Sequence, residues 1–315
     1  MAQPTNTFSS YDAKGNREDL INAIYSVDQT KTPFTSAIGK ISATATLHEW
    51  QTDALAAAGA NAVIEGDEAS TDASIATVRL GNYTQISDKV ALVAGTQQAV
   101  DSAGRSSDMA YQMAKRMQEL KRDIELAACA NNAKAVGNDT TARESAGIES
   151  WIATNTSAGT GGADPAGTGA DDRTDGTQRA YLEADLKAVL ASAADEGGDP
   201  NMLLLGSFNK QAMSAFSGNG TRTYEGSTNT LDTAIDIYKS DFGILEVVFS
   251  PQSRSRSAIA IDTSMWKLAM LPGRSYMQRD LAISGDYMRK QVLCEWTLQC
   301  DNEKANGIVA DLTTS

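Results

Sequence analysis

One stretch limits how this chain can fold more than any other. It is Ser107 to Asn132, SDMAYQMAKRMQELKRDIELAACANN. Met109, Met113, Met117, Leu120, Ile124, Ala127 and Ala128 are spaced so that, at about 100° per residue, they share one arc of roughly 100°. Lys115, Glu119 and Arg122 take the opposite side, and Arg116 flanks the apolar stripe. Neither Gly nor Pro interrupts it, and nearly every position is a good helix former. Ser107 or Asp108 can cap its start. The pattern predicts a helix of about six to seven turns, roughly 35 Å long, too polar to span a bilayer. Three methionines in the stripe favour a shallow, adaptable contact. Such a helix is either an ordinary core element or a spine across which other elements, including those of another subunit, are laid.

The sequence before the helix asks for a surface to lie against. Residues 1–16 are polar and read as an extended arm without a core of its own. A short helix is predicted over Arg17–Val27 on Leu20, Ile21 and Ile24. Thr32-Pro33 starts another, with Phe34, Ala37 and Ile38 inward and Gly39 as its stop. Thr44–Thr52 then reads as a strand. Ile75–Val93 reads as a longer one, with Val78, Leu80, Ile86, Val90 and Leu92 in one alternating register. Between them lies ALAAAGANAVIEGDEASTDAS, small and acidic, with Gly59 and Gly66 as hinges. Glu49, Asp53, Glu65, Asp67, Glu68 and Asp72 are acidic, and apart from His48 the only basic residue between Ile41 and Asp88 is Arg79. A two-stranded flap of this kind is marginal in water alone. It needs covering by its own chain or by a neighbour. The basic residues of the long helix, Lys115, Arg116 and Arg122, are complementary to it in sign, and Tyr111 lies on the same polar side.

After the helix, Ile148, Trp151 and Ile152 mark a short ordered piece. NTSAGTGGADPAGTGADDRTDGTQ follows, with six glycines and no periodicity. It reads as a mobile surface insertion. From Tyr181 an α/β unit is predicted: a helix on Leu182, Leu186, Val189, Leu190 and Ala193 stopped by Gly197-Gly198, a buried strand Asn201–Leu205, a helix capped by Ser207, and strands Ile235–Tyr238, Ile244–Phe249 and Ala258–Ile261. Met265–Leu271 reads as an edge strand and Ser275–Ile283 as another strand. Met288–Asp301 carries Val292, Cys294, Trp296, Leu298 and Cys300 on one face, and Gly307–Leu312 closes the sheet.

Catalytic chemistry finds little to stand on. One histidine, His48, excludes most His-based catalysis and multi-His metal sites. No G-x-S-x-G, P-loop, G-x-G-x-x-G or H-E-x-x-H occurs. Asp171, Asp172, Asp175 and Gly176 resemble a calcium loop, but Arg173 and Leu182 occupy ligand positions. Arg254 and Arg256 read as a polar turn before a phosphate contact. Cys129, Cys294 and Cys300 form no CxxC and point to a reducing compartment. No catalytic, cofactor-binding or metal residues are assigned. A net charge of −13 makes a surface that does not grip polyanions. No signal peptide or membrane-length apolar run is present.

The order of parts, together with NREDLINAIYSVDQTKTPFTSAIGK (Asn16–Lys40), GTQQAVDSAGRSSDMAYQMAKRMQELKRDIE (Gly95–Glu125) and AGIESWIAT (Ala146–Thr154), resembles the major capsid proteins of tailed bacteriophages that share the Hong Kong 97 fold. The resemblance implies an α+β fold. Residues 1–41 would be an N-arm, and 42–93 an E-loop with its root. A P-domain would take 94–180, with the spine helix at about 101–133 and the Gly-rich insertion at about 155–178. An A-domain would take 181–270, and 271–315 would return to the P-domain. It implies pentamers and hexamers of this chain forming an icosahedral head around double-stranded DNA, without sequence-specific contact. Scaffold, portal and decoration proteins are the further partners to expect, and the virion, assembled in the host bacterial cytoplasm, the location. Only about 16 residues precede the first predicted helix, which points to a separate scaffold or none. No lysine lies between Lys40 and Lys89, which argues against E-loop cross-linking. Glu65, Asp67 and Glu68 would meet Tyr111, Lys115, Arg116 and Arg122 of a neighbour. An encapsulin-like cargo compartment of the same fold, a soluble α/β enzyme and a tail or baseplate component remain as alternatives.

Overall fold

The computed structural model describes residues 28–68, 74–100, 104–216 and 236–315. The arm, the helix expected over 17–27 and Asp72 lie outside them. The described elements run α1 (Pro33–Ala37), β1 (Gly39–Ser42), β2 (Leu47–Thr52), β3 (Val78–Tyr83), β4 (Gln85–Ala94), α2 (Gly95–Ala99) and α3 (Asp108–Ala128). Then follow β5 (Thr156–Ser157), α4 (Glu183–Asp195), β6 (Met202–Leu205), α5 (Ser207–Ser214), β7 (Ile237–Ser240), β8 (Gly243–Phe249) and β9 (Ala258–Ile261). The last are β10 (Trp266–Met270), β11 (Met277–Asp280), β12 (Tyr287–Cys300) and β13 (Gly307–Val309).

The expected long helix is α3. Ser107 caps it, accepting from Ala110 N, and Met109, Met113, Leu120, Ile124 and Ala128 are buried. It ends at Ala128, earlier than its composition predicts. Asn131 and Asn132 leave the helix because their side chains bond elsewhere, to the backbone of Arg173 and to Ser145 O, each at 2.8 Å. The stripe of α3 packs on a five-stranded sheet in which β12 pairs antiparallel with β4 on one side and with β10 and β11 on the other, while β1 runs parallel to β10. Residues 292–300 of β12 are all buried, and the apolar face read from the sequence is the one in the core.

A second, six-stranded sheet has the order β5-β13-β9-β6-β8-β7. Its one face carries Leu203, Leu205, Leu245 and Val247 against α4 and Met213 of α5. Its other face, with Met202, Leu204, Ile259 and Ile308, joins the core of the first sheet around Ile148, Trp151 and Ile152. Two strands pair outside the ranges the sequence suggests for them. β10, within 181–270, belongs to the first sheet, and β13, within 271–315, to the second.

Several local readings are corrected. The strand expected over Ile75–Val93 breaks at buried Thr84, whose N–H turns to Thr46 O (2.8 Å) and whose hydroxyl binds Glu295 (2.9 Å). In β4 the register is the reverse of the one read. Ala91 and Val93 face α3, whereas Val78, Ile86 and Leu92 are 57%, 47% and 58% exposed. The helix comes close, so the small side chains take the inner face. β10 is not an edge, because β1, which begins at the expected helix stop Gly39, covers it. Ala37 is exposed, Leu182 stands outside the start of α4, and Ser207 is the first residue of α5 with Gly206 in the cap position.

The Gly-rich segment has no long element, as expected, yet it is tied down. Buried Asp311, at φ 59°, accepts from Gly159 N (3.0 Å), Gly176 N (2.8 Å) and Arg256 (2.8 Å). A Cβ on Gly159 would lie 2.1 Å from Thr177 O, so this approach requires glycine. Arg173 is buried, pairs with Asp164 and donates to Ile152 O at 2.8 Å. Arg254 and Arg256 form a polar turn that binds Asp175, and Arg254 also reaches fully buried Glu149 at 3.0 Å. Burial raises the Glu149 carboxyl above its ordinary pKa, and the Arg254 charge works against that.

Nothing in the periodicity of α3 singles out Glu125. It is fully buried, and its carboxylate accepts from Phe34 N and Thr35 N (2.8 Å each) and from the Thr35 hydroxyl (2.6 Å). Thr32 makes no side-chain cap, so a residue 91 positions beyond Phe34 caps α1. Glu125→Ala leaves three donors without an acceptor, and the expected loss is about 2–4 kcal/mol by urea unfolding. Desolvation holds this carboxyl above its ordinary 4.5, against the hydrogen bonds from Thr35 and Phe34. The folded state therefore binds the proton more tightly than the unfolded state does. The contribution of this group is full below about pH 4.5 and falls as pH rises through the elevated folded value. In Glu125→Gln that fall is absent. The stability of the wild type relative to this variant should decline as pH rises above about 4.5, read from urea midpoints.

Candidate assembly surfaces

β2 and β3 form a two-stranded ribbon, paired from Leu47↔Tyr83 to Thr52↔Val78. Its root is clamped. The buried Asn82 amide donates to Leu298 O (2.8 Å) and Ser145 Oγ (3.0 Å) and accepts from Ala146 N (2.9 Å). The Trp50 ring lies 5.3 Å from that of Trp151, His48 bonds Gln299 at 2.7 Å, and Lys134 donates to Gly81 O at 2.6 Å. Outside the root the clamps end. Residues 53–68 and 74–77 have no regular structure and are exposed. Leu55, Val63, Ile64 and Ile75 stand 98%, 80%, 79% and 63% exposed. Gly66, at φ 86°, makes a turn in which Asp67 N bonds Ile64 O at 3.1 Å. Glu65, Asp67 and Glu68 are gathered at that turn, all exposed.

Tyr111, Lys115 and Arg122 fall within about 40° of one another around α3. Lys115 is exposed, Tyr111 and Arg122 are half-buried, and neither Lys115 nor Arg122 forms an ion pair among the described residues. Arg116 lies to the side and is engaged with Glu119 at 2.5 Å. The Arg105 guanidinium sits 5.6 Å from the Tyr111 ring. Within one chain the structure thus gathers the three acidic flap residues in one place and the helix residues in another. Among the described residues no ion pair or hydrogen bond joins the two groups.

Sequence reasoning passed over a third surface, the outer side of β4. Ile86 and exposed Val136 line a cavity of about 420 Å³ with Gly137, Asn138, Thr141, Ala142 and Arg143. The alternation of Val78, Ile86 and Leu92 was its signal, read as a core face when it is a surface.

Elsewhere the titratable groups are structural. His48 is held by Gln299, and Cys129, Cys294 and Cys300 are free and buried, with burial raising their thiol pKa values. Asp175 is taken up by arginines. Among the described residues no group of three or more His, Cys, Asp or Glu side chains is placed to hold a metal ion, and no helix is long and apolar enough to cross a membrane.

The fold recurs in phage capsids. The chain superposes on the cyanophage A-1(L) capsid asymmetric unit with a TM-score of 0.67 at 11% identity, covering 97% of this chain and 98% of that one. The capsid of a native GTA particle gives 0.62 at 11% identity, covering 96% and 98%. Microbacterium phage Oxtober96 gives 0.61 at 12% identity, also covering 96% and 98%. These likenesses show the fold, which is consistent with the Hong Kong 97 type. In sequence, the major capsid protein of Escherichia phage Phieco32 is 41% identical over 126 residues, 40% of this chain and 36% of that protein. The aligned part thus spans little more than a third of that relative. The model of the family described as SU10 major capsid protein matches residues 3–313. With the match running over almost all of its length, the chain belongs to the SU10 major capsid protein family.

Proposed function

We propose that many copies of this chain assemble into pentamers and hexamers of an icosahedral head that encloses phage double-stranded DNA. The observation that carries this reading is the flap. Among the described residues, an acidic segment with four large apolar side chains more than half exposed is attached to the body only at its root. Isolated in water it gains nothing from that exposure, and laid over a second copy it buries the surface that drives association. Weak contacts of this kind, repeated around a closed shell, add up through valency. On this reading 42–93 acts as the E-loop, α3 as the spine, 181–270 as the A-domain and the segments around them as arm and P-domain. The role is structural, with no catalysis. The net charge of −13 suits a lining past which packaged DNA slides. The working location is the virion, after assembly in the host cytoplasm. Scaffold, portal and decoration proteins are the additional partners, and a decoration protein accompanies the capsid protein in the phage G neighbour.

Negative-stain microscopy with light scattering tests the reading on the chain expressed alone. Closed shells or capsomer rings are expected. A monomer whose flap at 53–68 resists protease would overturn it, because the flap would then be folded on its own chain. Within the assembly we place Glu65, Asp67 and Glu68 near Tyr111, Lys115, Arg116 and Arg122 of a neighbour. The double variant Arg116→Glu/Arg122→Glu should lose shells by light scattering while keeping its circular dichroism and thermal midpoint within a few degrees. Normal shells from it would remove these residues from the interface.

A further inference from the structure

Among the described residues, the outer margin of β4 is an open sheet edge. In an antiparallel pair, opposed residues alternate between bonding each other and pointing away. On β12, Glu295 N bonds Arg274 O, Leu271 N bonds Glu295 O, and Leu281 N bonds Arg289 O, so its odd-numbered residues face away from β4. Their partners in the register are Ile86 for Glu295, Asp88 for Leu293, Val90 for Gln291 and Leu92 for Arg289. The N–H and C=O groups of Ile86, Asp88, Val90 and Leu92 therefore point outward from the sheet. Among the described residues they have no hydrogen-bond partner. The edge continues the line along which β2 pairs with β3, a line whose last bond is Thr84 N to Thr46 O.

Beside this edge lies the cavity floored by Ile86 and Val136. Arg143 forms its wall, fixed by donating to Thr84 O at 3.2 Å and to Glu295 at 2.8 Å. A second arginine, Arg274, shares Glu295 at 2.5 Å. With Arg279 and Arg289, placed by the register on the same face, four arginines meet two carboxylates there, Glu295 and Asp88. An open edge, an apolar slot and a surplus of positive charge together make a site for an extended segment that is apolar and acidic.

This chain contains such a segment. We infer that residues 60–65 of a second copy's flap, up to the turn at Gly66, add as a strand to the open edge of β4, with Val63 or Ile64 in the slot between Ile86 and Val136. The inference rests on the assembly reading above and names the surface on which the flap lands. Charge complementarity sets the direction. α3 runs antiparallel to β4, since Lys89 pairs with Asp123 and Gln97 with Asp108. Lys115 and Arg116 thus flank the Leu92 end. A strand added parallel to β4 carries Glu65, Asp67 and Glu68 past Asp88 toward that end, whereas an antiparallel one would carry them past Thr84 into the line that β2 already takes.

Cross-linking tests it. Four double variants carry Val136→Cys together with Ala62→Cys, Val63→Cys, Ile64→Cys or Glu65→Cys, and particles of each are oxidised. The expected result is a ladder of covalent multimers on non-reducing gels, absent in the single variants, whose yield alternates along the four positions because strand side chains alternate. The native cysteines are buried and give no ladder of their own. Particles without a ladder, or with equal yields at all four positions, overturn the strand addition and leave the assembly reading standing. If the wild-type chain forms no particles, that failure falls on the assembly reading. The inference is then read from the soluble chain with a fluorescent synthetic peptide of residues 57–68. Binding that drops at least tenfold in Ile86→Asp supports it, and no binding, or binding unchanged in that variant, overturns it.

Discussion

The structure depends on a strand that is buried on both faces. Such a strand has no solvent to satisfy its polar groups, so each must find a partner in the protein. In β12 the two faces divide the work. Val292, Cys294, Trp296, Leu298 and Cys300 pack into the core, while Glu295, Thr297 and Gln299 face the other way. Each of the three polar side chains then recruits a different region. Glu295 holds Arg143, Arg274 and Thr84, Thr297 meets Ser145, and Gln299 holds His48. The root of the flap and the segment after α3 are thereby fastened to the same strand. The flap can be bare beyond Thr52 because what precedes it is held so firmly.

A division between fastened root and bare extension is what assembly by many weak contacts needs. The body is fastened by contacts within its own chain, so on the proposed assembly association would cost little ordering outside the flap itself. On the proposed assembly, the acidic charge of the chain would keep single copies apart at a distance, and local patches of the opposite sign would allow approach in one orientation.

Elements whose partners are close in pattern were legible in the sequence. The methionine stripe of α3 and the alternating face of β12 each obey one period, and each lies against the core that the period implies. The elements that were misread follow rules of longer range. β4 alternates cleanly, but alternation alone does not say which face is inside. Large Ile86 and Leu92 look more like core than Ala91, and only the close approach of α3 decides against them. Glu125 sits one residue from Ile124 and resembles any helical carboxylate until Phe34 and Thr35 are brought to it. The Gly-rich segment has no period because its order comes from outside, from Asp311 and from the backbone approaches that glycine permits. Of the proposed interface, the acidic character of the flap was visible, and the open edge was not, since an edge is a property of pairing.

The reach of these contacts along the chain has a consequence for synthesis. Gly176 waits for a carboxylate 135 residues downstream. At about 5–20 residues per second, the ribosome takes roughly 7–27 s to deliver it. Asn82 waits longer, for a carbonyl 216 residues on. Until β12 emerges, the stripe of α3 and the inner side of β4 have no sheet to complete. A nascent chain therefore cannot present a finished lateral margin to its siblings on the same polysome. On the proposed assembly, the geometry of the sheet would act as a clock that holds back association until translation has passed β12.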